Sequence, residues 1–260
     1  MNSQNHSPDH LKVYQSRHYM PAYRQGDFGD WRISVLPLGF DHGYFTKTWM
    51  VQNMPVLMRR RPDNPEDWET WMSLSPHEIE SQELGIELAT GHTVVMGLGM
   101  GWLAINAAMS PRVSRVSVIE IDSNVIQLIE QSGAFEGLPE KVLDKIEIIH
   151  ANALEWESSS PVDFLYADIW KRLNEPAVIE NMRAMQKNIR AKAIYFWGQE
   201  ITLYTEWIKL GGSEDTFDKA ALHSLIHEHI RLPLVFTDRV DYASLIKDVI
   251  SNRKSRGLSV

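Results

Sequence analysis

The chain has 260 residues, 43% of them hydrophobic, with 26 basic against 34 acidic residues, a formal charge of −8 and no cysteine. That content fills one large or two unequal domains, excludes disulfide and thiolate chemistry, and disfavours a nucleic-acid binder, whose affinity rests on phosphate contacts. No apolar run has the length of a membrane span or the form of a signal peptide, so the expectation is a cytoplasmic protein with small-molecule partners and neither nucleic acid nor membrane.

Residues 1–66 read as a small β-rich extension. WRISVLPL (31–38), FTKTWMVQ near Phe45 and PVLMRR (55–60) are short strands separated by Pro, Gly and Asn signals. Its aromatics, Tyr14, Tyr19, Tyr23, Trp31 and Trp49, suit a core, an interface or the roof of a pocket. The basic run Arg59–Arg61 is followed at once by PDNPEDWE, which reads as a charged loop leading to the next helix.

Residues 67–260 read as one α/β unit. In HTVVMGLGMGWLA (92–104) a β-branched run breaks into Gly97, Gly99 and Gly101 before apolar residues resume, which predicts strand, tight loop, helix. A second strand, VSRVSVIEID, ends at Glu120, nineteen residues past Gly101. Next come a helix over SNVIQLIEQ with Ser123 as its cap, a strand over KIEIIH with Asn152 and Ala153 in the loop after it, and a strand over PVDFLYAD ending at Asp168. A helix over NEPAVIENMRAMQKNI, capped by Asn174, and a fifth strand over AKAIYFWG complete the alternation. The fold class is α/β: a doubly wound, mostly parallel, Rossmann-like sheet with a small N-terminal β-rich extension and a helical C-terminal part.

Glycines admit backbone angles closed to other residues and let a ligand touch the main chain, while the helix that follows offers unpaired N–H groups. Glu120, with acceptors only, suits the two donors of a ribose diol. A dinucleotide fingerprint needs a third glycine where this chain has Trp102, so NAD is disfavoured. Gly97, Gly99, Gly101, Glu120, Asn152 and Asp168 all fall at the carboxyl ends of strands, where such sheets bind ligands. Taken singly, Glu120, Asn152 and Asp168 also have plain readings as a helix-terminal charge, a turn residue and a helix cap.

From Glu200 onward ITLYTEWIKL, DTFDKAALHSLIHEHI and DYASLIKDVISNRK have helical spacing, and only RLPLVF (231–236) looks extended, so no closing antiparallel hairpin is expected. His223, His227 and His229 lack the H-E-x-x-H order and a placed carboxylate, and no metal is expected. The tail SNRKSRGLSV reads as a frayed basic end.

The order VVMGLGMG, VIEIDSNVI, ANALEW, DFLYADIW resembles the spermidine synthase-like branch of the class I S-adenosylmethionine-dependent methyltransferases, over roughly residues 67–198. The resemblance implies that Gly97, Gly99, Gly101, Glu120, Asn152 and Ala153 bind the cofactor, with Glu120 on the ribose and Asn152 by the adenine. It also implies that Asp168 faces an amine acceptor, that His77 and Glu78 of SPHEIESQ (75–82) belong to the helix before the glycine motif, and that the protein is a homodimer. Two positions depart from that branch: Lys171 stands where its second loop carboxylate would be, and Met100 where its glycine loop has Asp. The expected cofactor is therefore S-adenosylmethionine, with the decarboxylated form as alternative, and the expected reaction is methyl transfer to a small amine, with Asp168 as the catalytic residue. Tyr166 and Trp170 are candidate walls over the sulfonium, and Tyr166 is equally a core residue. Aminopropyl transfer and a non-catalytic nucleoside-binding role are the competing readings.

Overall fold

Two sheets organise the chain, and the computed structural model describes residues 12–259. The first eleven residues of the expected extension lie outside the described residues. The first sheet is an antiparallel meander of β1 (Gly26–Phe28), β2 (Trp31–His42), β3 (Thr48–Arg60) and β4 (Trp68–Ser73), so it continues past residue 66. The strands expected near Phe45 and from Pro55 are one strand. Pro55 accepts from the Leu74 N–H just beyond the β3–β4 ladder, where a residue with no N–H is tolerated. Arg59 and Arg60 end β3, where the expected strand also ends, and only Arg61 of the basic run lies in the loop.

The chain then runs α1 (Pro76–Leu88), β5 (Gly91–Met96), α2 (Trp102–Met109), β6 (Val113–Glu120), α3 (Ser123–Gln131), a single turn α4 (Glu140–Leu143), β7 (Ile146–His150), β8 (Phe164–Ala167), α5 (Val178–Ile189) and β9 (Ala193–Phe196). Its five strands pair in parallel in the order β7-β6-β5-β8-β9, the doubly wound arrangement expected from the sequence. The chain leaves β5 toward β6 and β7, then returns to the other side for β8 and β9. The topological switch therefore lies between β5 and β8, where such sheets open a crevice.

Two helix starts differ from expectation. The carboxylate of Asp122, not the Ser123 hydroxyl, accepts from the Asn124 N–H and caps α3, and α5 starts after Ala177 rather than at Asn174. α1 is buried almost throughout, and its acids are connectors rather than a solvated face. Glu80 accepts from the N–H groups of Phe45 and Thr46 and from the Thr46 hydroxyl, and Glu83 pairs with Arg17.

After β9 come α6 (Gln199–Lys209), α7 (Lys219–Ser224) leading into a π-helical turn (Leu225–Ile230), and α8 (Tyr242–Ser255). Residues 231–236 contribute one parallel bridge, Ile194 to Leu234, and no antiparallel hairpin closes the sheet among the described residues. The rings of His223 and His227 stack with centroids 5.9 Å apart, and no group of three or more His, Cys, Asp or Glu converges on a metal-sized site among the described residues. No described helix is long and apolar enough to cross a membrane. The tail is not frayed as expected: residues 251–255 belong to α8, Asn252 holds the 43–46 turn through three carbonyls, and Arg253 is buried.

Gly85 marks the tightest packing of α1 on the parallel sheet, since a Cβ there would lie 2.2 Å from the Tyr166 ring. Gly85→Ala is expected to destabilise the protein by about 1–3 kcal/mol through overpacking, read from urea midpoints. An unchanged midpoint would show that the contact relaxes freely.

Candidate functional site

A cleft of about 360 Å³ opens at the switch point, in the size range of small-molecule sites. Its floor is the loop after β5. Gly97 (φ +97°) is obligatory, because a Cβ there would sit 2.1 Å from the carbonyl oxygen of Asp168. Gly99 (φ +52°) lies under Met72 of β4, whose sulfur would be 2.7 Å from an added Cβ. Gly101 starts α2 in the left-handed region, packs toward Ile129 and Phe135, and is not among the residues lining the cleft.

Glu120 ends β6 facing the loop, 9% exposed. One carboxylate oxygen accepts from the Leu98 N–H (2.9 Å) and the other from the Asp122 N–H (2.8 Å). Each oxygen keeps a lone pair for a further donor. Asn152 and Ala153 line the same cleft, with Leu154, Ile121 and Val125 giving it an apolar side. The Asn152 side-chain oxygen accepts from the Leu154 N–H (3.0 Å), so this residue also makes the turn that the plain reading gave it.

The N-terminal sheet roofs the cleft with Trp31, Leu57, Arg59, Trp71 and Met72. Trp31 donates from its indole N–H to Asp122 (2.8 Å), tying the roof to the cap of α3, and Arg59 lies over the rings of Trp31 and Trp71 at 5.4 and 5.6 Å. Of the aromatics singled out in the extension, only Trp31 reaches the cleft. Arg59 was missed as a cleft residue although it falls in the strand expected over 55–60; the alternation Leu57–Arg59 in that strand was the available signal.

Asp168 lies just beyond β8, half-buried, and lines the cleft together with the buried Glu78 of α1. Gln82 joins them, donating from its side-chain nitrogen to Glu78 (2.8 Å) and more distantly to Asp168 (3.4 Å). Burial pushes the Asp168 carboxyl up to about 7, and burial followed by the neighbouring Asp168 charge pushes Glu78 well above the usual carboxylate range. Lys171 breaks the loop's own acid pair, as its identity implied, and binds Glu69 (2.8 Å). The second carboxyl beside Asp168 comes instead from α1, as Glu78.

Trp170 lines the cleft, its indole N–H buried without a partner. Tyr166 does not: it is buried in the core, stacked on Tyr195 with ring centroids 6.0 Å apart, and so is no wall. His77 sits beside this region with its pKa lowered to about 4, chiefly by burial and then by Arg256, and is neutral at pH 7.

No family model matches the chain, and no curated protein does. Solved structures similar to it include the methyltransferase domain of bacterial CtHen1 (13% identity, TM-score 0.36, 45% of this chain and 64% of that one). A putative RNA methyltransferase from Pyrococcus horikoshii (18%, 0.35, 51% and 64%) and the glycopeptide N-methyltransferase MtfA with sinefungin (13%, 0.34, 42% and 44%) are others. The chain thus spans less than two thirds of these relatives.

The raised carboxyl gives a stability prediction. Folded Asp168 holds its proton up to about pH 7, whereas an unfolded aspartate releases it near pH 3.9, so the contribution is complete at low pH and is lost as pH rises through 7. Asp168→Asn removes that loss. Its melting temperature is expected to fall less than that of the wild type between pH 5 and pH 8; equal falls would show that Asp168 ionises normally.

Proposed function

We propose that this protein is an S-adenosylmethionine-dependent methyltransferase acting on an amine of a small molecule. The observation that carries the reading is one cleft with the Glu120 carboxylate on one side and the Glu78–Asp168 pair on the other, across a glycine loop. The residues fit the cofactor: Glu120 has spare acceptors for a ribose diol, Asn152 to Leu154 offer a base-sized apolar edge, and the unpartnered Trp170 N–H faces no protein acceptor. Arg59, the only cation lining the cleft among the described residues, supplies a partner for a carboxylate, which favours S-adenosylmethionine over its decarboxylated form and methyl over aminopropyl transfer.

When bound, S-adenosylmethionine supplies a sulfonium methyl whose C–S bond breaks, its electron pair going to sulfur, as the acceptor nitrogen forms the new N–CH₃ bond. The protein's task is to orient the amine and take its proton. Asp168 and Glu78 hold one ammonium between them, and the ionised member accepts the proton so that the nitrogen lone pair is free. Because the pair titrates as a unit with Asp168 near 7, kcat/KM is expected to rise through neutral pH.

Calorimetric titration tests the cofactor: Glu120→Ala should weaken S-adenosylmethionine binding about tenfold or more while the circular dichroism spectrum is kept. Arg59→Gln should weaken S-adenosylmethionine but not methylthioadenosine, which has no amino-acid tail. Indifference of both ligands to both changes would sink the site. In an amine methylation screen Asp168→Asn should lower turnover about a hundredfold or more while still binding cofactor. Turnover in no acceptor pool would favour a binding module.

A homodimer is part of the same proposal. Leu36, Leu38 and Phe40 project from one side of β2 at alternate positions, and Phe40 is 63% exposed. Light scattering should report a dimer for the wild type and a shift toward monomer for Phe40→Glu; a monomeric wild type would remove this element.

A further inference from the structure

The cleft does not end at the acid pair. A groove of about 420 Å³ continues from it, sharing Trp71, Met72, Glu78 and Trp197 as common walls. Its charge is of the opposite kind. Lys171, Arg172, Arg253 and Arg256 line it, against Asp41 and Glu78, whose carboxyl burial pushes well above the usual carboxylate range. Lys171 is already neutralised by Glu69. The arginines are not: neither Arg253 nor Arg256 lies within 4 Å of a carboxylate among the described residues, and Arg172 is exposed.

Arg253, 8% exposed, spends Nε and Nη2 on the Ser259 carbonyl (3.2 and 2.7 Å), and Nη1 of Arg256 is buried with no partner. Burial, and beyond it the charge of Arg256, lowers the pKa of Arg253, so the two guanidiniums repel in a place that water screens poorly. Asp41 lines the same groove, but it makes no ion pair within 4 Å of either guanidinium among the described residues. His77, on the same lining, is neutral and adds no further positive charge. Paired, partly desolvated guanidiniums with an orphaned donor and no carboxylate within 4 Å among the described residues suit an anion.

We infer that the acceptor carries an anionic group, a carboxylate or a phosphate, as well as its amine: the amine meets Asp168 and Glu78, and the anion meets Arg253 and Arg256, with Arg172 at the mouth. This rests on the reading of the cleft as a cofactor site that delivers a methyl group to an amine. A diamine is the wrong shape of charge for this groove, since its second ammonium would face the arginines.

Matched probes test the inference. The protein, saturated with S-adenosylhomocysteine, is titrated with ω-amino acids of two to six carbons, with the diamines of equal length, and with inorganic phosphate. At least one ω-amino acid should bind about tenfold or more tightly than its diamine, and Arg256→Gln should abolish that preference and the phosphate signal while leaving S-adenosylhomocysteine affinity unchanged. Retained cofactor affinity also reports that the variant is folded; Arg172→Gln, at an exposed position, gives a second variant expected to weaken the same probes less. Tighter binding of the diamines, or a preference indifferent to Arg256, overturns the anion site while the cofactor reading stands. Failure of the wild type to bind S-adenosylhomocysteine overturns the cofactor reading itself, independently of phosphate binding.

Discussion

The contact on which the site depends is the approach of β8 to β5 at Gly97. Any side chain there would stand 2.1 Å from the Asp168 carbonyl, so the two strand ends can lie together only because position 97 has no Cβ. That closeness brings the loop after β5 and the acid after β8 to opposite sides of one crevice. Glu120 then fixes the third side, because its carboxylate binds the Leu98 N–H within the loop and the Asp122 N–H at the start of α3. A carboxylate held by two backbone donors neither swings out of the cleft nor lets the loop move independently of the strand end.

Placing two carboxyls beside each other in a partly desolvated site is costly, and the cost shows as a raised affinity for protons. Burial raises both Glu78 and Asp168, and Gln82 supplies a donor between them. The arrangement is poor for stability at neutral pH and good for receiving a cation, which replaces the proton as the neutralising charge. α1 carries Glu78 to this spot because its other acids anchor it elsewhere: Glu80 to the 45–46 turn and Glu83 to Arg17. A helix with acids on every side is thus set between two sheets by directed hydrogen bonds rather than by one apolar stripe.

These differences explain what the sequence made legible. The five parallel strands were readable because each is a short β-branched or aromatic run bounded by a loop and followed by helical spacing, and the glycine loop and Glu120 fall where strand ends must fall. Glycine spacing records a backbone need and not who imposes it: at Gly101 the left-handed start of α2 requires it whether or not a ligand also does. Glu78 as the partner of Asp168 was hidden because the pairing spans 90 positions and depends on how α1 lies against β8. Arg59 and the arginines of α8 were hidden for a plainer cause, since charges near turns and chain ends read as solvated until packing shows otherwise.

Charge is sorted across the molecule rather than spread over it. The parallel sheet and α1 contribute the acids of the cleft, Glu120, Asp122, Asp168 and Glu78, and β3 its cation, Arg59, whereas the groove draws Lys171 and Arg172 from the loop after β8 and Arg253 and Arg256 from α8 and its end. A molecule with charges of both signs therefore meets cleft and groove with opposite ends, and its orientation is set by the field before close contacts form. The antiparallel sheet and the C-terminal helix are in this sense part of the site: β3 and α8 bring cations that the acids at the strand ends do not neutralise, and those cations decide which way round a bound molecule lies.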